Sequence, residues 1–249
     1  MKTEWDYTNL AKAYLKRATY SSDAIDTLFE LAKIKAGDTA CDVGAGVAHL
    51  TKELLSRDLQ VTAVEPNDEM RKYGKLETSA SANVTWFEGT GEQTGQADQA
   101  FDLVTFGSSF NVTDRLVTLA ETKRILKPNG WFACMWNHRD LDDPFQHEIE
   151  SIIKSHIDGY NYGTRREDQT EVINQSGLFE DVHYIEGQVE HYQTKEDLIE
   201  AWRSHATLER QAGDKFSAII DAIQALVDGY PEDKIKVPYT TRMWCAKLK

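Results

Sequence analysis

The sequence has little positive charge for its length. Its 28 lysines and arginines are outnumbered by 41 aspartates and glutamates, which gives the 249-residue chain a formal net charge of −13. Proteins that bind nucleic acid present a dense basic surface to the phosphate backbone. The charge balance therefore argues against a nucleic-acid partner, although it leaves room for a local basic patch.

Cysteine and long apolar runs are also scarce. The chain has three cysteines, Cys41, Cys134 and Cys245, and an odd number cannot all pair with one another. Each lies in an apolar, strand-like run, so we expect three buried thiols in a reducing compartment. No apolar run approaches the roughly 18 residues of a membrane span, and the first ten residues are polar. The seven histidines show no zinc-ligand spacing, so we expect no metal. These absences predict a soluble cytoplasmic protein with no membrane partner.

The first half of the chain alternates between strand-like and helical patterns. Strands are predicted at residues 39–43, 60–65, 83–88, 101–106 and 131–136, and helices at 23–34, 47–57, 68–76 and 113–126. The breaker sequence Lys-Pro-Asn-Gly at 127–130 is expected to end the last of these helices. Such alternation predicts a parallel sheet wound by right-handed crossovers.

The second half has a different pattern. Helices are predicted at 144–157 and 169–176, a loop at 159–166, and strands at 182–192 and 237–248. Between those strands lies a helical insertion, 195–227, that is expected to break near Gly213. The chain contains no internal repeat or low-complexity linker, so we expect one domain.

A glycine-containing turn joins the first predicted strand to the helix that follows. The segment reads Asp42-Val43-Gly44-Ala45-Gly46, and glycine there permits positive φ and close approach of a ligand to the backbone. A dinucleotide fingerprint would have glycine at position 49, which is His49. Glu65, 19 residues after Gly46, ends the next strand and offers a carboxylate to both hydroxyls of a ribose. The alternative is a tight strand–helix connection without a ligand.

Four segments in this order resemble the class I S-adenosylmethionine-dependent methyltransferases. Residues 42–46 are similar to the first motif of that family, and 65–67 followed by Met70 to its acidic second motif. Residues 101–104 resemble its fourth strand, and 124–131 the segment before its fifth. The sequence departs from the family at Ala48, where many members carry a third glycine.

The resemblance, in register over about residues 37–137, implies a fold and a cofactor. The fold class is α/β: a doubly wound, Rossmann-like sheet of seven mostly parallel strands with an antiparallel last strand and a helical lid. One domain, 1–249, would comprise an N-terminal helical cover (1–36), a cofactor-binding core (37–137) and a lid (190–235). The implied cofactor is S-adenosyl-L-methionine.

The resemblance also assigns contacts with that cofactor, at the glycine turn, the acidic strand end and the loops after the third and fourth strands. These residues are Asp42, Gly44, Ala45, Gly46, Glu65, Pro66, Met70, Thr90, Gly91, Glu92, Gly107 and Ser108. Glu65 would hold the ribose, and Pro66 and Met70 would line the adenine pocket. For residues 90–92, an ordinary polar loop is an equally open interpretation.

The N-terminal segment adds Tyr14, Arg17 and Tyr20, whose spacing allows a shared helix-like face. Many small-molecule members of the family carry a similar Tyr-x-x-Arg segment that folds over the cofactor. Arg17 would then bind the methionine carboxylate, because a guanidinium matches a carboxylate in a bidentate way. A surface helix with amphipathic tyrosines is the alternative.

Candidates for acceptor chemistry follow the fifth strand and lie in the insertion. A histidine there could act as a general base toward a hydroxyl or amine, and polar neighbours could orient a polar or anionic acceptor. The candidate bases are His138 and His205, and the candidate substrate-binding residues are Tyr20, Asn111, Asn137, Arg139, Trp202 and Arg203. The alternatives are a solvated loop histidine and packing of Trp202 within the helices.

These observations predict a methyltransferase that moves a methyl group to oxygen, nitrogen or carbon of a small molecule by in-line displacement, in which positioning can dominate the rate. We expect a monomer or homodimer. One alternative is a non-catalytic cofactor-binding or regulatory protein on the same fold. A nicotinamide-dependent oxidoreductase is disfavoured by His49. An enzyme that methylates the amino groups of nucleic-acid bases is disfavoured by the negative net charge. It is also disfavoured because the end of the fourth strand reads Phe-Gly-Ser-Ser-Phe at 106–110 and not an Asn-Pro-Pro-Tyr-type motif.

Overall fold

The computed structural model describes residues 11–249, which form a seven-stranded sheet with the order β3-β2-β1-β4-β5-β7-β6. The strands are β1 (Thr39–Val43), β2 (Gln60–Val64), β3 (Val84–Phe87), β4 (Phe101–Gly107), β5 (Leu126–Arg139), β6 (His183–Thr194) and β7 (Lys234–Lys247). β1 to β5 pair in parallel, and β7 is antiparallel to both β5 and β6. The predicted fold class, with its antiparallel last strand, is confirmed.

Ten α-helices connect or cover these strands in the described part of the chain. They are α1 (Ala11–Tyr14), α2 (Ser22–Ala32), α3 (His49–Leu55), α4 (Asp68–Glu77), α5 (Arg115–Ile125), α6 (Pro144–His156), α7 (Thr170–Gln175), α8 (Lys195–Arg203), α9 (Ala206–Ala212) and α10 (Phe216–Asp228). Short 3₁₀ turns lie at Phe110–Val112, Gly163–Arg166 and Gly213–Lys215. None of the helices in residues 11–249 is long and apolar enough to cross a bilayer.

Helices cover both faces of the sheet, because its central strands carry apolar side chains on both sides. In β5, Phe132 and Cys134 pack with α5 and α7 on one face, while Ala133 and Met135 pack with α2 and α3 on the other. All three cysteines are free and buried, as expected. Burial raises the pKa of the Cys41 thiol well above its usual range, so this thiol is not a nucleophile.

Strand β5 differs from its prediction. It begins at Leu126, not at residue 131, and includes the Lys-Pro-Asn-Gly segment. The helix before that segment, α5, does end there as predicted, at Ile125. Phe101 pairs with Leu126 and Leu103 with Trp131, so the extra residues form an irregularity within the strand. Asn129 takes a φ of +65°, which shows that the turn-forming residues bend the strand without ending it.

The N-terminal segment also departs from its prediction, because α1 ends at Tyr14. Hydrogen-bonded turns follow as far as Arg17, and Ser21 then caps α2 by accepting from the amide of Ala24. Tyr14, Arg17 and Tyr20 therefore do not lie on one regular helix, although Arg17 stacks on the ring of Tyr14. The first ten residues of the proposed N-terminal cover lie outside the described residues.

The lid consists of α8, α9 and α10, inserted between β6 and β7. The chain breaks near Gly213 as predicted, and it also breaks at residues 204–205, where Ser204 ends α8 and His205 caps α9. The lid buries an apolar cluster of its own, in which Trp202, Ile219 and Ile223 pack against Ile149 and Ile153 of α6. This cluster fixes the lid above the carboxyl edge of the sheet.

Candidate active site

A cavity of about 760 Å³ opens at the carboxyl ends of β1, β2, β4 and β5, between the sheet and the lid. The strand order reverses between β1 and β4, and open α/β sheets bind ligands at such a switch point. The cavity lies within the size range of small-molecule sites, roughly 300–1,000 Å³.

The glycine turn forms the floor of the cavity. The amides of Gly44 and Ala45 both donate to Val64 O, at 2.8 and 3.1 Å, and pin the turn to β2. Gly44 and Gly46 have φ values of +69° and +56°, as a turn of this kind requires. Ala48 also has a positive φ, +77°, which explains why glycine suits this position in the family.

Two different kinds of space surround the glycines of this turn. A Cβ on Gly44 would lie 2.4 Å from Ser109 Cβ, whereas a Cβ on Gly46 would meet no atom within 4 Å. Gly44 is therefore needed for packing within the protein. Gly46 instead presents bare backbone to the open cavity.

Glu65 connects the glycine turn to the end of β2. Its Oε2 accepts from the Gly46 amide at 2.9 Å and its Oε1 from the Asn67 amide at 2.8 Å. Burial raises the pKa of Glu65, although these two hydrogen bonds act in the opposite direction. A carboxylate has about four acceptor positions, so two remain for ligand hydroxyls.

Asp42 lies beneath the turn and is fully buried. Its carboxylate accepts from the hydroxyl of Thr51 at 2.7 Å and from that of Thr105 at 3.1 Å, which ties β1 to α3 and β4. Burial nevertheless raises the pKa of Asp42 to about 6.

Residues 14–21, which we call the strap, cross one side of the cavity between the core and the lid. Side-chain contacts hold the strap along its length. Among them are the His49 ring with Tyr14 O (2.8 Å), Gln193 Nε2 with Lys16 O (3.0 Å), Arg17 Nη2 with Ser204 O (3.0 Å), Asn137 Nδ2 with Thr19 O (2.7 Å), and Tyr20 OH with Ser108 Oγ (3.0 Å). Burial lowers the pKa of His49 to about 4, so this ring is neutral at pH 7.

Arg17 connects the strap to the end of α8. Its guanidinium lies 3.6 Å above the ring of Tyr14 and donates to Ser204 O, where a helix C-terminus favours a cation. Only one of the five guanidinium N–H donors is used in this hydrogen bond. Arg17 also lines the cavity.

The lid wall combines aromatic rings with a buried ion pair. The guanidinium of Arg139 lies 4.5 Å from the Trp202 ring centre and donates to Glu150 Oε2 at 3.3 Å. Both charged side chains are at most 9% exposed. Burial tends to raise the pKa of Glu150, but the hydrogen bond from Tyr162 and the charge of Arg139 outweigh it and leave that pKa below its usual value.

The two candidate bases lie in different settings. His138 is buried on β5 and lines the cavity. His205 stacks on Trp202, with ring centres 5.3 Å apart, and its Nδ1 accepts from the Leu208 amide at 3.2 Å. A neutral imidazole with Nδ1 as acceptor carries its proton on Nε2. His205 therefore caps α9 with one ring nitrogen while its ring lies against Trp202 at the cavity wall.

The structure brings nearly all of the predicted site residues to this cavity. Those that line it are Tyr14, Arg17, Tyr20, Asp42, Gly44, Ala45, Gly46, Glu65, Pro66, Met70, Thr90, Gly91, Glu92, Gly107, Ser108, Asn111, Asn137, His138, Arg139, Trp202 and His205. Arg203 is the exception, because it follows the buried Trp202 on a helix and points about 100° away, into solvent. The prediction that Arg203 faces the acceptor is not supported.

Asn137 lines the cavity, but the nitrogen and the oxygen of its side-chain amide each form a hydrogen bond within the protein. Its amide nitrogen donates to Thr19 O, and its Oδ1 accepts from the hydroxyl of Thr241 at 2.6 Å. The geometry therefore favours a role in holding the strap to β7 over the predicted role in binding substrate.

The cavity also includes residues that the sequence analysis missed, among them Gln146, Arg166 and Gln193. Arg166 belongs to the segment 159–166, which reads as a plain loop from its glycines. Its two tyrosines and paired arginines were the available signal, since such residues are enriched in binding surfaces.

The core of the chain matches a known family. The model of the methyltransferase domain family matches residues 41–134. An uncharacterized methyltransferase of Mycobacterium tuberculosis is 31% identical over 137 residues, which cover 55% of this chain and 54% of that protein. A demethylmenaquinone methyltransferase of Staphylococcus aureus is 35% identical over 103 residues, 41% of this chain and 42% of that protein. The chain spans about half the length of the curated relatives it matches.

Solved structures share the fold over nearly the whole chain. A type II methyltransferase from Anaeromyxobacter dehalogenans matches with a TM-score of 0.60 and 18% identity, over 93% of this chain and 97% of that chain. A phosphoethanolamine N-methyltransferase of Haemonchus contortus matches with a TM-score of 0.55 and 16% identity, over 96% of this chain and 56% of that chain. The core of the chain, residues 41–134, is thus similar in sequence to the methyltransferase domain family, and the sheet as a whole has the fold of solved class I S-adenosylmethionine-dependent methyltransferases.

Proposed function

We propose that this protein binds S-adenosylmethionine and transfers its methyl group to a small-molecule acceptor at oxygen, nitrogen or carbon. The observation that carries the proposal is the pairing of Gly46 and Glu65 at an open cavity. The backbone of Gly46 is bare there, and the carboxylate beside it keeps acceptor positions for two hydroxyls.

The residues of the cavity fit the parts of this cofactor. Glu65 would bind the ribose, the buried Met70 would pack against the adenine, and Arg17 would bind the methionine carboxylate. When bound, the cofactor supplies a methyl group on a positively charged sulfur. The protein's part is to align donor and acceptor and to exclude water, and alignment can contribute a large share of the rate.

On the acceptor side, His138 is the candidate base, since it is buried at the end of β5 and lines the same cavity as Gly46. The strap and the lid would close the space around the acceptor. Two similar proteins support a small acceptor by their names: the demethylmenaquinone methyltransferase of Staphylococcus aureus, and the phosphoethanolamine N-methyltransferase of Haemonchus contortus, solved with phosphomonomethylethanolamine and S-adenosylhomocysteine.

Isothermal titration with S-adenosylhomocysteine tests the proposal. We expect the wild-type protein to bind, and Glu65→Ala to bind at least about tenfold more weakly, because hydrogen bonds to a charged group contribute about 1.5–3 kcal/mol. Glu77→Ala is the matched control, since Glu77 is exposed and pairs with Lys52 outside the cavity. Thermal unfolding of each variant checks that it is folded.

Two outcomes would contradict parts of this proposal. Wild-type protein that fails to bind S-adenosylhomocysteine at high micromolar concentration would overturn the cofactor assignment. Binding without methyl transfer to any of a broad pool of small molecules would favour a non-catalytic cofactor-binding protein on the same fold.

A further inference from the structure

Apart from Arg17 in the strap, the acidic and basic side chains that line the cavity are divided between its two ends. The acidic residues lie near the carboxyl ends of the first four strands: Asp42 is within β1, and Glu65, Glu92 and Asp114 follow β2, β3 and β4. Beyond the strap, the lid end carries Arg139 after β5 and Arg166 in the 3₁₀ turn 163–166. In a chain of net charge −13, this end of the cavity is therefore locally cationic.

The charge of Arg139 is already matched within the protein. Glu150 Oε2 lies 3.3 Å from its guanidinium, and Glu150 also accepts from Tyr162 OH and pairs with Lys154 Nζ at 3.3 Å. Because Trp202 covers the guanidinium face, Arg139 is held in one orientation. The single carboxylate of Glu150 thus faces two cations, Arg139 and Lys154.

Arg166 stands next to this group without a carboxylate of its own. Its guanidinium lies 3.7 Å from the ring centre of Tyr162, and within residues 11–249 no ion pair joins it to an aspartate or glutamate. It is partly buried, and burial lowers its pKa, although an arginine stays protonated at neutral pH. A partly desolvated cation in a ligand cavity is stabilised when a ligand brings the missing negative charge.

We propose that the acceptor is an anion whose carboxylate or phosphate group binds Arg166, with the rings of Trp202 and Tyr239 lining the space around its body. This inference rests on the proposed function, because it places the acceptor at the lid end of the cofactor cavity. Arg166 is then a specificity-determining residue, and Arg139 orders the wall beside it. A guanidinium binds either anionic group through paired N–H donors.

Calorimetric titration with three small probes tests the inference, each with and without S-adenosylhomocysteine. Benzoate and phenyl phosphate carry the two anionic groups, and benzamide is the neutral counterpart of benzoate. We expect at least one anion to bind about tenfold more tightly than benzamide, as one charge-assisted hydrogen-bonded pair provides. The stronger of the two anions identifies the acceptor group as carboxylate or phosphate.

Variants assign the effect to Arg166. Arg166→Gln should weaken the binding of the preferred anion about tenfold and leave benzamide unchanged, and Arg166→Lys should recover part of the affinity because it restores the charge without the fork. Arg210→Gln, an exposed arginine of α9 that does not line the cavity, should bind the anion as the wild-type protein does.

The outcomes separate this inference from the proposed function. Equal affinities for benzoate, phenyl phosphate and benzamide, no anion binding at millimolar concentration, or unchanged anion affinity in Arg166→Gln would each overturn it. Failure to bind S-adenosylhomocysteine would overturn the cofactor assignment alone, because the titrations without that ligand still decide the anion site. Unchanged S-adenosylhomocysteine affinity in Arg166→Gln shows that the variant is folded.

Discussion

Alanine substitutions at Gly44 and Gly46 should have different main effects, although both residues belong to one turn. Gly44→Ala should mainly lower the stability of the fold, and Gly46→Ala should mainly lower the affinity for the cofactor. A Cβ on Gly44 would lie 2.4 Å from Ser109 Cβ and 2.8 Å from Ser109 Oγ, far inside the ordinary contact distance of about 3.5–4.0 Å. Ser109 is buried, and its hydroxyl donates to Val43 O at 2.6 Å, so it cannot move aside without losing that hydrogen bond.

The expected loss of stability for Gly44→Ala follows from three contributions. Overpacking costs about 1–3 kcal/mol. A left-handed φ of +69° costs alanine about 1 kcal/mol more. The reduced entropy of the unfolded chain offsets about 0.4–1 kcal/mol. The net loss is about 1–3.5 kcal/mol, which lowers the melting temperature of a protein of this size by about 2–14 °C.

Gly46→Ala has only the backbone contribution, because a Cβ at this position meets no atom within 4 Å. We expect its melting temperature to fall by no more than about 3 °C. The added methyl group extends into the cavity where we propose that the cofactor lies. Its affinity for S-adenosylhomocysteine should therefore fall at least about tenfold, by the overpacking argument applied to a ligand contact.

Thermal unfolding and calorimetric titration of both variants measure these effects, and a double-mutant cycle isolates the contact. In a Ser109→Gly background, the stability loss caused by Gly44→Ala should shrink to about that of Gly46→Ala, since the clashing Cβ is gone. Equal melting temperatures for the two single variants, or a loss at Gly44 that persists in the Ser109→Gly background, would refute the steric reasoning.

Substitutions at three further residues test other parts of the site. Folding raises the pKa of Asp42 from 3.8 to about 6, so between these pH values the folded state keeps a proton that the unfolded state has lost. The stability of the wild-type protein therefore falls between about pH 4 and pH 6, by up to about 3 kcal/mol. Asp42→Asn removes this titration and should be increasingly more stable than the wild-type protein over the same window. Parallel melting curves against pH would contradict this. Asn137→Ala should lower stability by about 1–3 kcal/mol and speed hydrogen exchange in the strap, because it removes the 2.7 Å hydrogen bond to Thr19 O. Unchanged exchange would mean that other contacts hold the strap. His205→Asn should keep the cap on α9, whereas His205→Ala should lose about 1 kcal/mol of stability. The ¹⁵N chemical shifts of the wild-type imidazole at pH 8 should show the proton on Nε2. A proton on Nδ1 would rule out the role of that nitrogen as acceptor from the Leu208 amide.

The parallel part of the sheet follows closely from the sequence. Strands β1 to β4 lie within a residue of their predicted bounds, because short apolar runs between turn signals are typical of strands buried on both faces. The glycine turn and Glu65 also lie together as expected. Their direct hydrogen bond, from the Gly46 amide to Glu65 Oε2, shows that the two motifs form one structure.

The errors occur where distant parts of the chain decide the local conformation. Because β5 pairs with β4, it remains a strand from Leu126 although residues 127–130 are typical of turns. Side chains of β5, β6 and α3 bind the backbone of the strap and hold it in a non-helical conformation. Arg166 escaped notice for the same reason. Its position against Tyr162 depends on the folding of a loop that has no hydrophobic periodicity.

The pairing of β6 with β7 has a consequence for how acceptors can change in evolution. The two strands stay paired up to Thr194 and Lys234, so the lid leaves and rejoins the sheet at neighbouring positions, like the loop on the stem of a long hairpin. The entropic cost of closing a loop grows only slowly with its length. The three lid helices are therefore an exchangeable module, which relatives can lengthen, shorten or replace while the glycine turn and the sheet stay as they are.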